Sequence, residues 1–156
     1  MSKYDVTVAE YPAKRLIGMK IKSAMAAASA DCPALWDAFG PRMGELAASV
    51  SGPAGSFGVS VMLNAEDFDY WAAMEVTASA PAPQGMAAME LRAGLYAKVA
   101  VPNLEKLGEA FTYLYGAWGQ EQADYVCDET APCYEWYPAN WQPSEAFEIF
   151  AAVKKR

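Results

Sequence analysis

With 156 residues, 54% hydrophobic and 20% charged, the chain has the size and composition of one globular domain that buries a core without staples, which excludes a disordered polypeptide. Its formal charge is −7, spread evenly over both halves, and the one dense basic cluster is Lys154, Lys155 and Arg156 at the end. An acidic field of this kind repels phosphate backbones and favours cations, so direct nucleic-acid binding is not expected.

Histidine is absent, and the cysteines Cys32, Cys127 and Cys133 form no CxxC pair. Ser-His-Asp and Cys-His nucleophile systems are thereby excluded, and neither a metal site, a cofactor nor a disulfide framework is expected. No apolar run approaches the ~20 residues that span a bilayer, and the start lacks the apolar stretch of a signal peptide, so a cytoplasmic protein is expected.

In chain order, VTVAEYPAKRLIGMKIK reads as two extended runs joined by a turn at Pro12-Ala13. Trp36, Phe39, Met43, Leu46 and Val50 follow at helical spacing, interrupted at Gly40-Pro41, where proline fits a restarting first turn. After a loop at 51–56, residues 57–63 alternate as a half-buried strand, and 70–78 form a second. In this second strand Trp71, Ala73 and Glu75 share one face, and Tyr70, Ala72, Met74 and Val76 the other.

The linker ASAPAPQG at 78–85 precedes a return of the same order. Residues 87–101 read as extended, turn, extended. Leu104, Leu107, Phe111, Leu114 and Trp118 make a second helical stripe. A loop at 120–132, a strand at 133–138 and a closing strand at 146–153 complete the chain. The reading is α+β: one domain over 1–156, a pseudo-twofold duplication with halves near 1–78 and 86–153. Antiparallel sheets carry both helices on one side, and a central ligand cleft on the uncovered faces lies between the halves. An even charge spread without heptads predicts a monomer or weak dimer.

The segment most suggestive of chemistry is CYEWYP. Period two puts Cys133, Glu135 and Tyr137 on one face and Tyr134 and Trp136 on the other. A carboxylate among aromatics is costly to bury unless it is hydrogen-bonded, protonated or paired. Aromatic walls around such a group suit flat organic cations or amphipathic aromatic molecules. Trp71 and Tyr96 are expected to face the same groove. Trp36 and Trp118 lie on helix stripes, where core packing is the ordinary role. Gly52, Gly55 and Gly58 do not form a dinucleotide fingerprint.

LRAGLYAKVAV at 91–101, LEKLGEAFTYLYGAW at 104–118 and PCYEWYP at 132–138, with YPAKRLIGMKI and FDYWAAMEV matching more loosely, resemble the GyrI-like, or AraC-type effector-binding, domain family of multidrug-sensing regulators. The resemblance extends to stand-alone members carried on integron gene cassettes. It implies two βαββ units around a pseudo-twofold axis and ligand in the cleft. Glu135 and Tyr137 match the family's acidic and aromatic cleft residues, Tyr96 the tyrosine of its second-half hairpin, and Trp118 the tryptophan closing its second helix. The chain departs from the pattern at Ala93-Gly94-Leu95, where Pro-Gly is usual, and at Gly119-Gln120-Glu121, where a proline is. Small-molecule binding without catalysis is the implied function. The alternatives are hydrolysis of cyclopropane-containing or other electrophilic compounds with Glu135 activating water, and a protein-interaction role beside a separate regulator.

Overall fold

The computed structural model describes residues 4–52 and 55–156. Two short-linked strands open the chain, β1 (Val6–Tyr11) and β2 (Lys14–Ala24). Helix α1 (Ala28–Phe39) runs into a 3-10 stretch at Gly40–Ser49, with proline in its first turn as read from the sequence. The helix starts earlier than the apolar stripe because Ala26, Ala27 and Ala28 favour helix without marking a face. Strands β3 (Gly55–Met62) and β4 (Asp67–Glu75) finish the first half.

The second half repeats this order with β5 (Ala87–Leu91), β6 (Gly94–Val101), α2 (Leu107–Tyr115), α3 (Ala117–Glu121), β7 (Tyr125–Cys127), β8 (Cys133–Pro138) and β9 (Phe147–Lys155). The single helix expected over 104–119 is a 3-10 turn followed by two helices. The break falls at Gly116, whose φ of −116° and ψ of −92° leave the helical region. Glycine carries the largest backbone entropy cost in a helix, so a break there is inexpensive. The expected loop at 120–132 contains β7, which pairs with the end of β9. Three residues are too few for alternation to reveal. The basic end is likewise not a free tail. Lys154 and Lys155 lie in β9, and the Arg156 guanidinium donates to the backbone carbonyls of Tyr125 and Gly119.

All strands join one antiparallel sheet ordered β1-β6-β9-β8-β3-β4-β2-β5, with β7 outside this path on β9. Exchanging β1 with β5, β2 with β6, β3 with β8 and β4 with β9 reverses the order onto itself. The duplication is therefore written into the topology, with its midpoint at the β3–β8 pair. The implied hairpin ending at Tyr96 does not form: β5 pairs with β2 and β1 with β6. Each half gives its first strand to the sheet of the other, which ties the two halves together through main-chain hydrogen bonds at both ends.

Alternation along the strands divides the core. On the helix side, Leu35 and Phe39 of α1 meet Ile17, Phe68, Tyr70 and Ala72. There too Ala110, Tyr113 and Leu114 of α2 and Trp118 of α3 meet Ala97, Val99, Ile149 and Ala151. On the other side Leu16, Phe57, Val59, Trp71, Tyr96, Tyr134 and Phe150 pack on one another without a helix. No helix among the described residues is long and apolar enough to cross a membrane.

Candidate functional site

Glu135 stands at the middle of β8, opposite Gly58 of β3 and Ile149 of β9. Its face is the helix side, and it is 4% exposed. The sequence reading put the cleft on the uncovered faces. The structure corrects the placing of Glu135 there, because Glu135 shares its side of the sheet with Tyr70 of β4 and Tyr137 of β8, under α1.

Both phenols donate to one carboxylate oxygen. Tyr137 Oη lies 2.7 Å and Tyr70 Oη 3.0 Å from Glu135 Oε1. Trp36 of α1 in turn donates its indole N–H to Tyr70 Oη at 3.0 Å and sets its ring edge-on to Tyr137, 5.8 Å between centroids. Trp141 tilts against Tyr137 at 4.6 Å. Among the described residues, Glu135 Oε2 accepts no hydrogen bond and no basic side chain pairs with the carboxylate. The group draws Trp36 and Tyr70 from the first half and Glu135 and Tyr137 from the second.

The energetics follow from this isolation. Loss of water raises the Glu135 carboxyl from 4.5 to about 7, and the two phenol hydrogen bonds offset only part of that. Burial and the nearby carboxylate also push the Tyr70 and Tyr137 phenols far above their usual range, so both remain donors. Cys32 of α1 and Cys133 of β8 sense the same charge. Burial first and Glu135 second raise them to about 11 and about 12, which keeps both as inert thiols.

The sequence-predicted residues do not all meet here. Glu135 and Tyr137 are joined. Trp118 is buried in the core cluster of α2 and α3 that also contains Tyr137, outside the hydrogen-bonded group. Tyr96 and Trp71 lie on the opposite side of the sheet, and the expectation that they share a groove with Glu135 is corrected. Tyr96 donates to the Arg92 carbonyl at 2.7 Å, and the Trp71 ring carries the Lys20 ammonium 5.6 Å from its centroid. The cause is register: Tyr96 pairs with Ala152 in β9, while Ile149, opposite Glu135, pairs with Val99. A strand's alternation separates its two faces but does not say which face joins which face of a distant strand.

The sequence reading missed Tyr70, and it assigned Trp36 to the core alone. Gly58 was read only against a nucleotide motif. A glycine inside an apolar strand signals close approach, and here Tyr70 passes over Gly58 to reach Glu135. A Cβ at 58 would lie 2.7 Å from Glu135 Oε1 and closer still to Tyr70 Oη. Gly58→Ala is therefore expected to break the Tyr70 hydrogen bond and lower unfolding free energy by about 1–3 kcal/mol, the scale of core overpacking. Urea denaturation measures the loss; an unchanged midpoint would show that Tyr70 does not need this opening.

The sequence model of the Cass2 family, the integron-associated effector binding protein, matches residues 7–153. No curated protein sequence matches significantly. Among solved structures, SAV2435 bound to tetraphenylphosphonium superposes with a TM-score of 0.76 at 16% identity, covering 96% of this chain and 94% of that one. The integron cassette protein Cass2 from the mobile metagenome of Vibrio cholerae gives a TM-score of 0.66 at 11% identity, over 96% and 95%. The C-terminal domain of EcmrR gives 0.71 at 15% identity, over 99% of each chain. At these identities the likeness to solved structures establishes the fold, the duplicated α+β architecture read from the sequence.

Proposed function

Because the chain belongs to the integron-associated effector binding protein family, it binds small molecules, and we propose that its effectors are planar organic cations anchored on Glu135. One observation carries this reading: a carboxylate buried to 4% exposure, with no basic partner among the described residues and with Oε2 accepting no hydrogen bond. Such a group lacks only a cation, and the aromatic rings of Trp36, Tyr137 and Trp141 supply apolar area and π faces beside it. SAV2435, which shares the fold, was solved with tetraphenylphosphonium, an organic cation.

An effector reaches Oε2 when Trp36 and α1 give way. Helix α1 suits that role, since it has no side-chain N-cap and contains Pro33, which removes a hydrogen bond and crowds the preceding turn. In this reading the chain works in the cytoplasm, as a monomer or weak dimer that takes up its effector without catalysis. Hydrolysis draws no support from the site: both phenols donate to the one carboxylate, and among the described residues no second carboxylate and no amine is hydrogen-bonded or ion-paired to it.

The test is a matched pair of ligands. 10-Methylacridinium carries a fixed positive charge, and acridine has nearly its shape but is neutral at about pH 8. Quenching of tryptophan fluorescence is expected to show the cation bound at least about tenfold more tightly, the lower end of the scale for a charged hydrogen-bonding partner. Equal affinities, or no binding of any flat cation in a wider panel, would remove the proposal.

A further inference from the structure

A second constellation lies on the side of the sheet without helices, away from Glu135. A groove of about 190 Å3 opens there over β8 and its neighbours. Its floor includes Tyr134, stacked on Phe150 with ring centroids 4.6 Å apart and planes at 11°. Trp136 lies beside them, and Glu75, Glu148 and Lys14 also line it.

Three features of this groove are unused by the fold. Tyr134 is 2% exposed, yet its hydroxyl has no hydrogen-bond partner among the described residues. The other buried tyrosines are all bonded: Tyr70 and Tyr137 to Glu135, Tyr96 to the Arg92 carbonyl, and Tyr113 to Glu121. Among the described residues the buried unpaired side-chain atoms are Arg15 Nε and Asn103 Oδ1, so the Tyr134 hydroxyl opens onto the groove, where a polar ligand atom can take the hydrogen bond that water otherwise makes. The second feature is Glu75 and the third Lys14. Both reach the groove and neither forms an ion pair with a described residue, whereas Glu148 is held by Lys98 at 3.3 Å. Burial first, then the neighbouring Tyr96 and Tyr11 phenols and the Glu75 and Glu148 charges, hold the Tyr134 hydroxyl in its protonated, donating form.

We infer that this groove is a binding site for a small aromatic zwitterion of the amino-acid class. The ring lies on the Tyr134, Phe150 and Trp136 surface, the ammonium meets Glu75, and the carboxylate meets Lys14 and the Tyr134 hydroxyl. Charge selects the class. A simple cation leaves Lys14 repelling it, and a simple anion meets Glu75 and Glu148. A zwitterion satisfies both free charges at once. The inference stands apart from the role given to Glu135, since the two sites lie on opposite sides of the sheet.

A set of fluorinated probes tests it with one reporter: 4-fluorophenylalanine, 4-fluorophenethylammonium and 4-fluorophenylpropionate, titrated by fluorine NMR against the intact protein. The zwitterion is expected to bind saturably and at least about fivefold more tightly than either singly charged analogue, the scale of one exposed ion pair. Glu75→Gln and Lys14→Gln should each remove most of that preference. Tyr134→Phe, which keeps the stacked ring, should weaken the zwitterion about tenfold or more, as loss of a hydrogen bond to a charged group does. Glu135→Gln should leave it unchanged. The inference is overturned by absence of saturable binding, by equal affinities for the three probes, by indifference to Glu75→Gln and Lys14→Gln, or by loss of binding in Glu135→Gln.

Discussion

Glu135→Gln is expected to weaken binding of a planar organic cation about 10- to 150-fold while making the ligand-free protein more stable at neutral and alkaline pH. The affinity loss is the scale of a hydrogen bond to a charged group, about 1.5–3 kcal/mol. Glutamine keeps the shape and an oxygen for Tyr70 and Tyr137, so the charge is the main thing removed. The stability gain has the opposite sign because the same charge is unwelcome in the empty protein. The folded carboxyl, at about 7, lies above its ordinary value of 4.5, so the native state holds this proton more tightly than the unfolded chain.

The contribution of Glu135 is therefore fully favourable below about pH 4.5 and is lost as pH rises through 7. A difference of this size amounts to at most about 3 kcal/mol, from about 1.4 kcal/mol per pH unit. Denaturant unfolding of both proteins at several pH values reads it. The two curves should coincide near pH 4.5 and separate by about 1–3 kcal/mol by pH 8, glutamine higher. A destabilised Gln variant at pH 8 would mean that the carboxylate has partners which compensate its burial.

The second large effect is on affinity as a function of pH. For a ligand whose charge is fixed, such as 10-methylacridinium, all titration belongs to the protein. Binding favours the carboxylate, so affinity should rise with pH and level off above about 7. Below that, each pH unit costs up to tenfold until the effector-bound carboxyl itself titrates. Between pH 8 and pH 5 the loss should total about 10- to 100-fold, bounded by the same coupling that Glu135→Gln removes. An aromatic ligand of similar shape that stays uncharged from pH 5 to pH 8 should show no such rise. A flat profile for the fixed cation would mean that Glu135 does not titrate with binding.

Much of the architecture was readable because it is written in local periodicities. Alternation in FGVSVML, YWAAMEV and AFEIFAAV located β3, β4 and β9 to within a few residues, and the repeated order exposed the duplication. Alternation also placed Glu135 and Tyr137 on one face and Tyr134 and Trp136 on the other, as the structure has them. What stayed unreadable depends on pairing between strands distant in sequence. The exchange of β1 and β5 between halves leaves no local trace, so nothing in LRAGLYAKVAV showed that Tyr96 faces away from Glu135. Nor does any spacing in FGVSVMLNAEDFDY say that Tyr70 crosses a neighbouring strand, since the reach depends on the register that sets Gly58 opposite Glu135. Trp36 looked like core because it is on the core stripe of its helix; its indole N–H finds Tyr70 only once α1 lies over the sheet.

The central claim, that Glu135 gains its charge when it gains a cation, is tested most directly by counting protons. Calorimetric titration of 10-methylacridinium near pH 6, in buffers of different ionisation enthalpy, gives the number of protons released per effector bound. The wild-type carboxyl is mostly protonated there and should release about half to nearly one proton, falling toward zero above about pH 8, and Glu135→Gln should release none. Binding of the cation without proton release, or equal release by the two proteins, would contradict the assignment of Glu135 as the charge anchor.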